Sequence, residues 1–287
     1  MEVFAVPITL FVPRLAATFA SAALATPLLA TPLLATLLLA TLLLPTLLLA
    51  TPAAAEEIEV DVELVLAVDI SQSMDEHEQQ VQRDGYVSAL MSAEVAKAVA
   101  YGMTGKVAVT YIEWGGVGEQ FVVADWQLID GPQSAEAFAA RLAEAPLKTV
   151  QRTSISSALA YAGTLFDGNG YTGMRKVIDI SGDGPNNQGG GVTASRDALI
   201  ARSITINGLP LMLTDGASWY HLPDLDHYYE DCVIGGPGSF VVPVRSLDGF
   251  ADAIRLKLVL EIAGLMNDTA KVVPAAGRPA VPCNMFD

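Results

Sequence analysis

The hydrophobic positions along this chain follow two regimes that meet at Ala55. Up to that point the sequence is apolar almost throughout, with no charge from residue 15 to residue 55. Beyond it, short apolar runs alternate with stretches whose apolar residues recur at helical spacing. Residues 62–70 (VELVLAVDI) are nearly continuous in apolar side chains, the pattern of a strand buried on both faces. Residues 75–101 predict a helix, rich in Glu, Gln and Ala, with acids in the first turn where the dipole favours them. Residues 106–114 and 121–129 predict two strands joined as a hairpin by a Gly-rich turn. Helices at 134–145 and 154–166 follow, then a buried strand at 176–181, a helix at 193–203 and a strand at 204–213. A strand at 240–244 and a helix at 247–264 complete the series. Strands alternating with helices imply an α/β fold with a doubly wound, mostly parallel central sheet, flanked by helices and carrying one antiparallel edge strand. Ligands of such sheets bind beyond the carboxyl ends of the strands, so the loops leaving the strands are the places to seek chemistry.

Composition sharpens the division at Ala55. The whole chain is 52% hydrophobic yet has a formal charge of −16, a poor match for one acidic globular domain. Residues 1–55 hold one acid, Glu2, and one base, Arg14, so residues 56–287 carry all of the net charge. As a single helix the uncharged stretch would extend about 60 Å, roughly twice the hydrocarbon thickness of a bilayer, and Pro27, Pro32, Pro45 and Pro52 interrupt it. Residues 27–51 are tandem Leu-rich pentapeptides, a low-complexity expansion. Ala53 and Ala55 give the small-X-small pattern of a signal-peptidase site before Glu56-Glu57. Residues 1–55 are therefore read as a long cleavable signal peptide that exports the body to the periplasm or the extracellular space. The alternative is an uncleaved membrane anchor. Cys232 and Cys283 are the two cysteines, and an even count in an exported chain permits one disulfide; two separate thiols are the alternative. No basic stripe offsets the acidity, which argues against nucleic acid as a partner.

The first strand runs out into Asp69-Ile70-Ser71-Gln72-Ser73, three short oxygen-bearing side chains at alternating positions that can converge on one point. Such ligands suit a hard cation such as Mg2+. Thr153 opens the helix at 154–166, and Asp183 leaves a buried strand in Ser181-Gly182-Asp183-Gly184. The plainer reading makes Asp69, Ser71 and Ser73 capping and turn residues, which leaves Thr153 and Asp183 unexplained. In this order the motifs resemble a von Willebrand factor type A domain with a metal-ion-dependent adhesion site, over residues 60–264. The resemblance implies that Ser71 and Ser73 bind a divalent cation (Mg2+, or Mn2+ or Ca2+) through their hydroxyls. It implies that Asp69 and Asp183 act through metal-bound waters, and Thr153 directly or through water. It implies further that an open metal position takes a carboxylate from a protein partner. The sequence departs from the family at Gln151-Arg152, where glycine is frequent; Arg152 could weaken the metal site or hold an anionic ligand. The segments 178–187 and 231–238 are similar to an exported bacterial branch of such domains known by a domain-of-unknown-function label.

Asp179 shares a strand face with Ser181 and Asp183, which allows either support of the metal ligands or an ordinary buried, hydrogen-bonded role. His221, Asp224, Asp226, His227, Tyr228 and Tyr229 form a polar and aromatic segment expected on the same edge as the metal ligands, a candidate recognition loop tethered by Cys232–Cys283. A nucleophile elbow is missing from the sequence, and no general base falls within the metal constellation, so an adhesion or interaction module is expected over an enzyme. A metal-assisted hydrolase and a purely structural domain are the alternatives.

Overall fold

A computed structural model describes residues 56–213, 222–264 and 278–284. The expected signal peptide at 1–55 and His221 lie outside the described residues.

Five strands form one sheet: Ile58–Asp69 (β1), Val107–Trp114 (β2), Gln120–Ile129 (β3), Tyr171–Gly182 (β4) and Ile204–Pro210 (β5), in the order β3-β2-β1-β4-β5. β1 lies parallel between β2 and β4, β5 extends the parallel ladder, and β3 pairs antiparallel with β2 at the edge. The helices are Glu76–Leu90 (α1), Ala93–Tyr101 (α2), Pro132–Glu144 (α3), Ile155–Thr164 (α4), Val192–Ile200 (α5), Leu225–Tyr228 (α6) and Phe250–Ala263 (α7). A π-turn at Tyr229–Val233 continues α6.

The period-two pleat of β1 explains the near-continuous apolar run. Val62, Leu64, Leu66 and Val68 pack on one face with Tyr86, Phe138, Phe250 and Leu258 of α1, α3 and α7. Val65 and Ala67 pack on the other with Ile155, Leu159 and Leu199 of α4 and α5. With helices on both sides, each face of the central strand needs apolar side chains.

The helix expected at 75–101 is two helices. Asp75 caps α1 by accepting from the Glu78 amide at 2.8 Å while Glu78 accepts from the Asp75 amide at 2.9 Å. Ser92 starts α2: its hydroxyl accepts from the Val95 amide at 3.2 Å and donates to the Ala89 carbonyl at 2.7 Å. A serine within a helical pattern can serve as an internal cap, and periodicity alone does not reveal it. The strand expected at 240–244 is reduced to isolated bridges, Gly208 with Val241 and Leu211 with Val244. Pro210 and Pro243 each lack a backbone donor, so a continuous ladder does not form there. β4 starts at Tyr171, earlier than expected, because the carboxylate of buried Glu63 on β1 accepts from the Gly173 amide and the Asn169 side chain, each at 2.7 Å.

Two ionic clusters tie helices to the sheet. Arg83 of α1 pairs with Glu113 of β2 and donates to the Leu142 and Ala145 carbonyls at 2.7 and 3.1 Å, closing the end of α3. Lys257 of α7, fully buried, lies 2.7 Å from Asp179 and 2.5 Å from Glu261. Among the described residues no helix is long and apolar enough to cross a membrane.

Candidate metal centre

β1 and β4 run side by side and end at the same edge of the sheet, with Val68 opposite Ser181. Asp69 at the end of β1 therefore faces Gly182, one residue before Asp183. Fully buried Asp69 turns one carboxylate oxygen back to accept from the Ser71 amide at 2.7 Å. The Ser71 and Ser73 hydroxyls lie 3.0 Å apart, and Ser73 donates to an Asp183 carboxylate oxygen at 2.7 Å. Four of the five expected ligands thus form one connected group.

Thr153 reaches the same edge through its backbone. The Val150 amide donates to the Ile70 carbonyl at 3.0 Å, pairing this loop with Ser71, and the Ser154 amide donates to the Gly115 carbonyl at 2.8 Å beyond β2. Asn187 closes the arrangement: its side-chain oxygen accepts from the Thr153 amide at 2.9 Å while its own amide donates to the Thr153 carbonyl at 2.8 Å. Asn186 accepts from the Ser156 amide at 3.0 Å and donates its own amide to the Tyr228 hydroxyl at 3.2 Å. These asparagines pin the Thr153 loop to the Asp183 loop. The sequence signal was the Pro-Asn-Asn that follows Gly182-Asp183-Gly184, legible as a turn but not as a clasp between two loops.

The second carboxylate oxygen of Asp69, Oδ2, is buried and has no hydrogen-bond partner. Burial, and then the charge of Asp183, raise the Asp69 carboxyl well above the usual carboxylate range, although the Ser71 amide and hydroxyl and the nearby Asp183 amide pull the other way. Gly182 is required beside it, since a Cβ there would come within 2.8 Å of Asp69 Oδ2 and 2.9 Å of the Tyr229 hydroxyl. Two carboxylates and the Ser71 and Ser73 hydroxyls, with one orphaned, desolvated oxygen and with Thr153 on the adjoining loop, make a donor set that fits a hard divalent cation. Among the described residues no group of three or more His, Cys, Asp or Glu side chains is arranged to hold a metal, so a cation at this edge would rely on the hydroxyls as well.

Asp179 turns to Lys257 of α7, and Ser181 of the same strand accepts from the Gln82 side chain at 2.9 Å. Arg152 is exposed, with a left-handed backbone (φ 69°), a conformation that glycine adopts more readily than arginine. The segment expected as a recognition loop divides. Asp224 and His227 reach the surface, with ring nitrogen and carboxylate 3.9 Å apart, and Asp226 pairs with Arg245 at 2.5 Å. Tyr228 is fully buried, which corrects its place in an exposed loop: α6 turns its ring into the core, where the hydroxyl meets the Asn186 amide. Tyr229, the next residue of that segment, is buried as well, and its hydroxyl lies 3.5 Å from the Gly182 carbonyl.

Cys232 and Cys283 are disulfide-bonded, with 5.4 Å between their Cα atoms. The bond holds residues 278–284 against the π-turn, assisted by Arg278 on Asp231 at 2.6 Å and by the Val281 amide on Asp231 at 2.8 Å. The tyrosines beside the candidate ligands and the disulfide therefore belong to one short segment.

Several solved structures share this fold. Proximal thread matrix protein 1 from the mussel byssus superposes with a TM-score of 0.54 at 13% identity, over 73% of this chain and 49% of that one. A second form of it, with a zinc-occupied MIDAS motif, gives 0.50 at 15% identity, over 73% and 49%. The pilus adhesin SpaC from Lactobacillus rhamnosus GG gives 0.51 at 15% identity, over 72% and 30%. A von Willebrand factor type A protein from Catenulispora acidiphila gives 0.50 at 17%, over 71% and 43%. The chain thus spans about half or less of the length of these neighbours. No curated protein matches it in sequence. A family model described as protein of unknown function (DUF1194) matches residues 59–266, and with the sheet order above this establishes that the chain belongs to that family and has a von Willebrand factor type A fold.

Proposed function

We propose that this protein is an exported interaction module that holds a divalent cation, Mg2+ or alternatively Mn2+ or Ca2+, and binds a carboxylate of a protein partner through it. Ser71, Ser73 and Thr153 would supply neutral oxygens, and Asp69 and Asp183 the charge. The observation that carries the reading is the buried, unpartnered Oδ2 of Asp69 in a cluster of oxygen donors. An orphaned carboxylate oxygen is costly in a desolvated site, and a cation or its bound water removes that cost. Neutral hydroxyls leave the cation electrophilic, so an added carboxylate is favoured; a cage made only of carboxylates would quench that attraction. Two proteins of the same fold, a pilus adhesin and a byssal matrix protein with a zinc-occupied MIDAS, give the reading company. Export rests on the leader sequence.

The test is capture from an extract of the source cell's envelope on immobilised protein, in Mg2+ and in chelator. A partner retained in Mg2+, released by chelator and not retained by Ser73→Ala supports the reading. Equal retention in chelator would show that binding bypasses the cation.

A further inference from the structure

We infer that Arg152 is the second contact point of this site, so that the partner presents two neighbouring acidic groups, one for the cation and one for the guanidinium. The inference rests on the metal reading above and adds the chemistry of the ligand.

Charge supplies the first argument. A divalent cation beside the Asp69 and Asp183 carboxylates leaves a centre with no net charge, on a chain whose formal charge is −16. An acidic partner approaching it meets the repulsion of the whole protein with no compensating local excess of positive charge. Arg152 supplies that excess. It directly precedes Thr153 on an exposed stretch of the loop, and an extended arginine side chain is long enough to meet a group bound beside that loop.

Availability supplies the second. Six arginines of the described residues are in ion pairs: Arg83, Arg196, Arg202, Arg245, Arg255 and Arg278. Arg152 makes no ion pair or side-chain hydrogen bond among the described residues, and it is exposed. An unpaired guanidinium can offer a carboxylate two parallel N–H donors, a geometry that a lysine does not reproduce.

Backbone supplies the third. Arg152 is one of two non-glycine residues with positive φ among those described, and it lies in a loop held on both sides by the Val150–Ile70, Ser154–Gly115 and Thr153–Asn187 hydrogen bonds. Glycine would adopt this conformation without strain, whereas arginine keeps it at a cost to the stability of the fold, as strained residues at binding sites do. The pinned loop also limits the positions open to the guanidinium, which favours one spacing of the two acids over others.

The probes are fluorescein-labelled glycine peptides with a single aspartate, or with two aspartates separated by no, one or two glycines. Anisotropy is read at saturating Mg2+ and fixed ionic strength on the unmodified protein, Arg152→Gly and Arg152→Lys. At least one two-aspartate peptide should bind the unmodified protein about fivefold more tightly than the single-aspartate peptide. Arg152→Gly should abolish that gain, and Arg152→Lys should keep only part of it. A gain that survives in Arg152→Gly, or the absence of a gain for every spacing, overturns the inference. The Mg2+-induced change in melting temperature, measured on the same preparations, separates the two failures. If Mg2+ raises Tm but the second acid adds nothing, the role of Arg152 falls and the metal reading stands; if Mg2+ leaves Tm unchanged, both fall.

Discussion

The buried cluster on α7 predicts that replacing a glutamate will stabilise the protein at neutral pH. Lys257 is fully buried with two carboxylates, Asp179 and Glu261, so at most one of them is matched by its charge. Glu261 also accepts from the Asn207 side chain at 3.0 Å. Burial and then the charge of Asp179 push the Glu261 carboxyl up from 4.5 to about 7, although Lys257 pulls the other way. Burial raises the Asp179 carboxyl in the same direction. The titration therefore belongs to the pair and not to either acid alone. Between pH 4.5 and 7 the folded state keeps a proton that the unfolded chain has released, so stability must fall as pH rises through this window. At 1.36 kcal/mol per pH unit the full loss is about 3 kcal/mol. Glu261→Gln is nearly isosteric with the protonated acid and leaves one lysine facing one aspartate. Its urea-unfolding free energy should match that of the unmodified protein near pH 4.5 and exceed it by up to about 3 kcal/mol at pH 8. The comparison is made in chelator, so that metal binding does not enter. Parallel pH curves, or a variant less stable than the unmodified protein at every pH, would refute the charge count.

Other substitutions test other parts of the account. Gly182→Ala places a methyl within 2.8 Å of Asp69 Oδ2; by the cost of overpacking it should destabilise by about 1–3 kcal/mol and weaken the response of Tm to Mg2+. Reducing Cys232–Cys283, or replacing both with serine, opens a loop of sequence separation 51 and should cost about 4 kcal/mol in denaturant unfolding. Arg152→Gly should stabilise the protein by about 0.5–1 kcal/mol, relief of the left-handed backbone exceeding the entropy glycine adds to the unfolded chain; a loss of stability would show that the arginine has a partner in the folded state.

The sheet was legible because its central strand is buried on both faces and β4 and β5 repeat the pattern, leaving the order of elements with few alternatives. The break between α1 and α2 was hidden because Ser92 interrupts the helix by hydrogen bonding, without a glycine or proline to mark it. The segment at 240–244 has the apolar pattern of a strand, yet its prolines deny it a ladder. At the candidate centre, Asp69, Ser71, Ser73 and Asp183 could be brought together from strand-end positions alone. Asn186, Asn187 and Tyr229 could not, because each acts on a residue far away in sequence and is ordinary in its local context. Tyr228 was misplaced for the related reason that a polar neighbourhood says little about which way one ring turns.

The central claim, that the strand-end oxygens hold a divalent cation, is tested most directly by thermal unfolding of the purified protein across a Mg2+ titration, beside Asp69→Ala and Ser71→Ala/Ser73→Ala. At a Mg2+ concentration 100 times the dissociation constant, binding to the folded state alone contributes about 2.7 kcal/mol, which for a domain of this size raises Tm by about 5–10 °C. The account predicts that rise in the unmodified protein, its reversal by chelator, and its loss in both variants. A Tm that does not move with Mg2+, Mn2+ or Ca2+, or that rises equally in the variants, would contradict it.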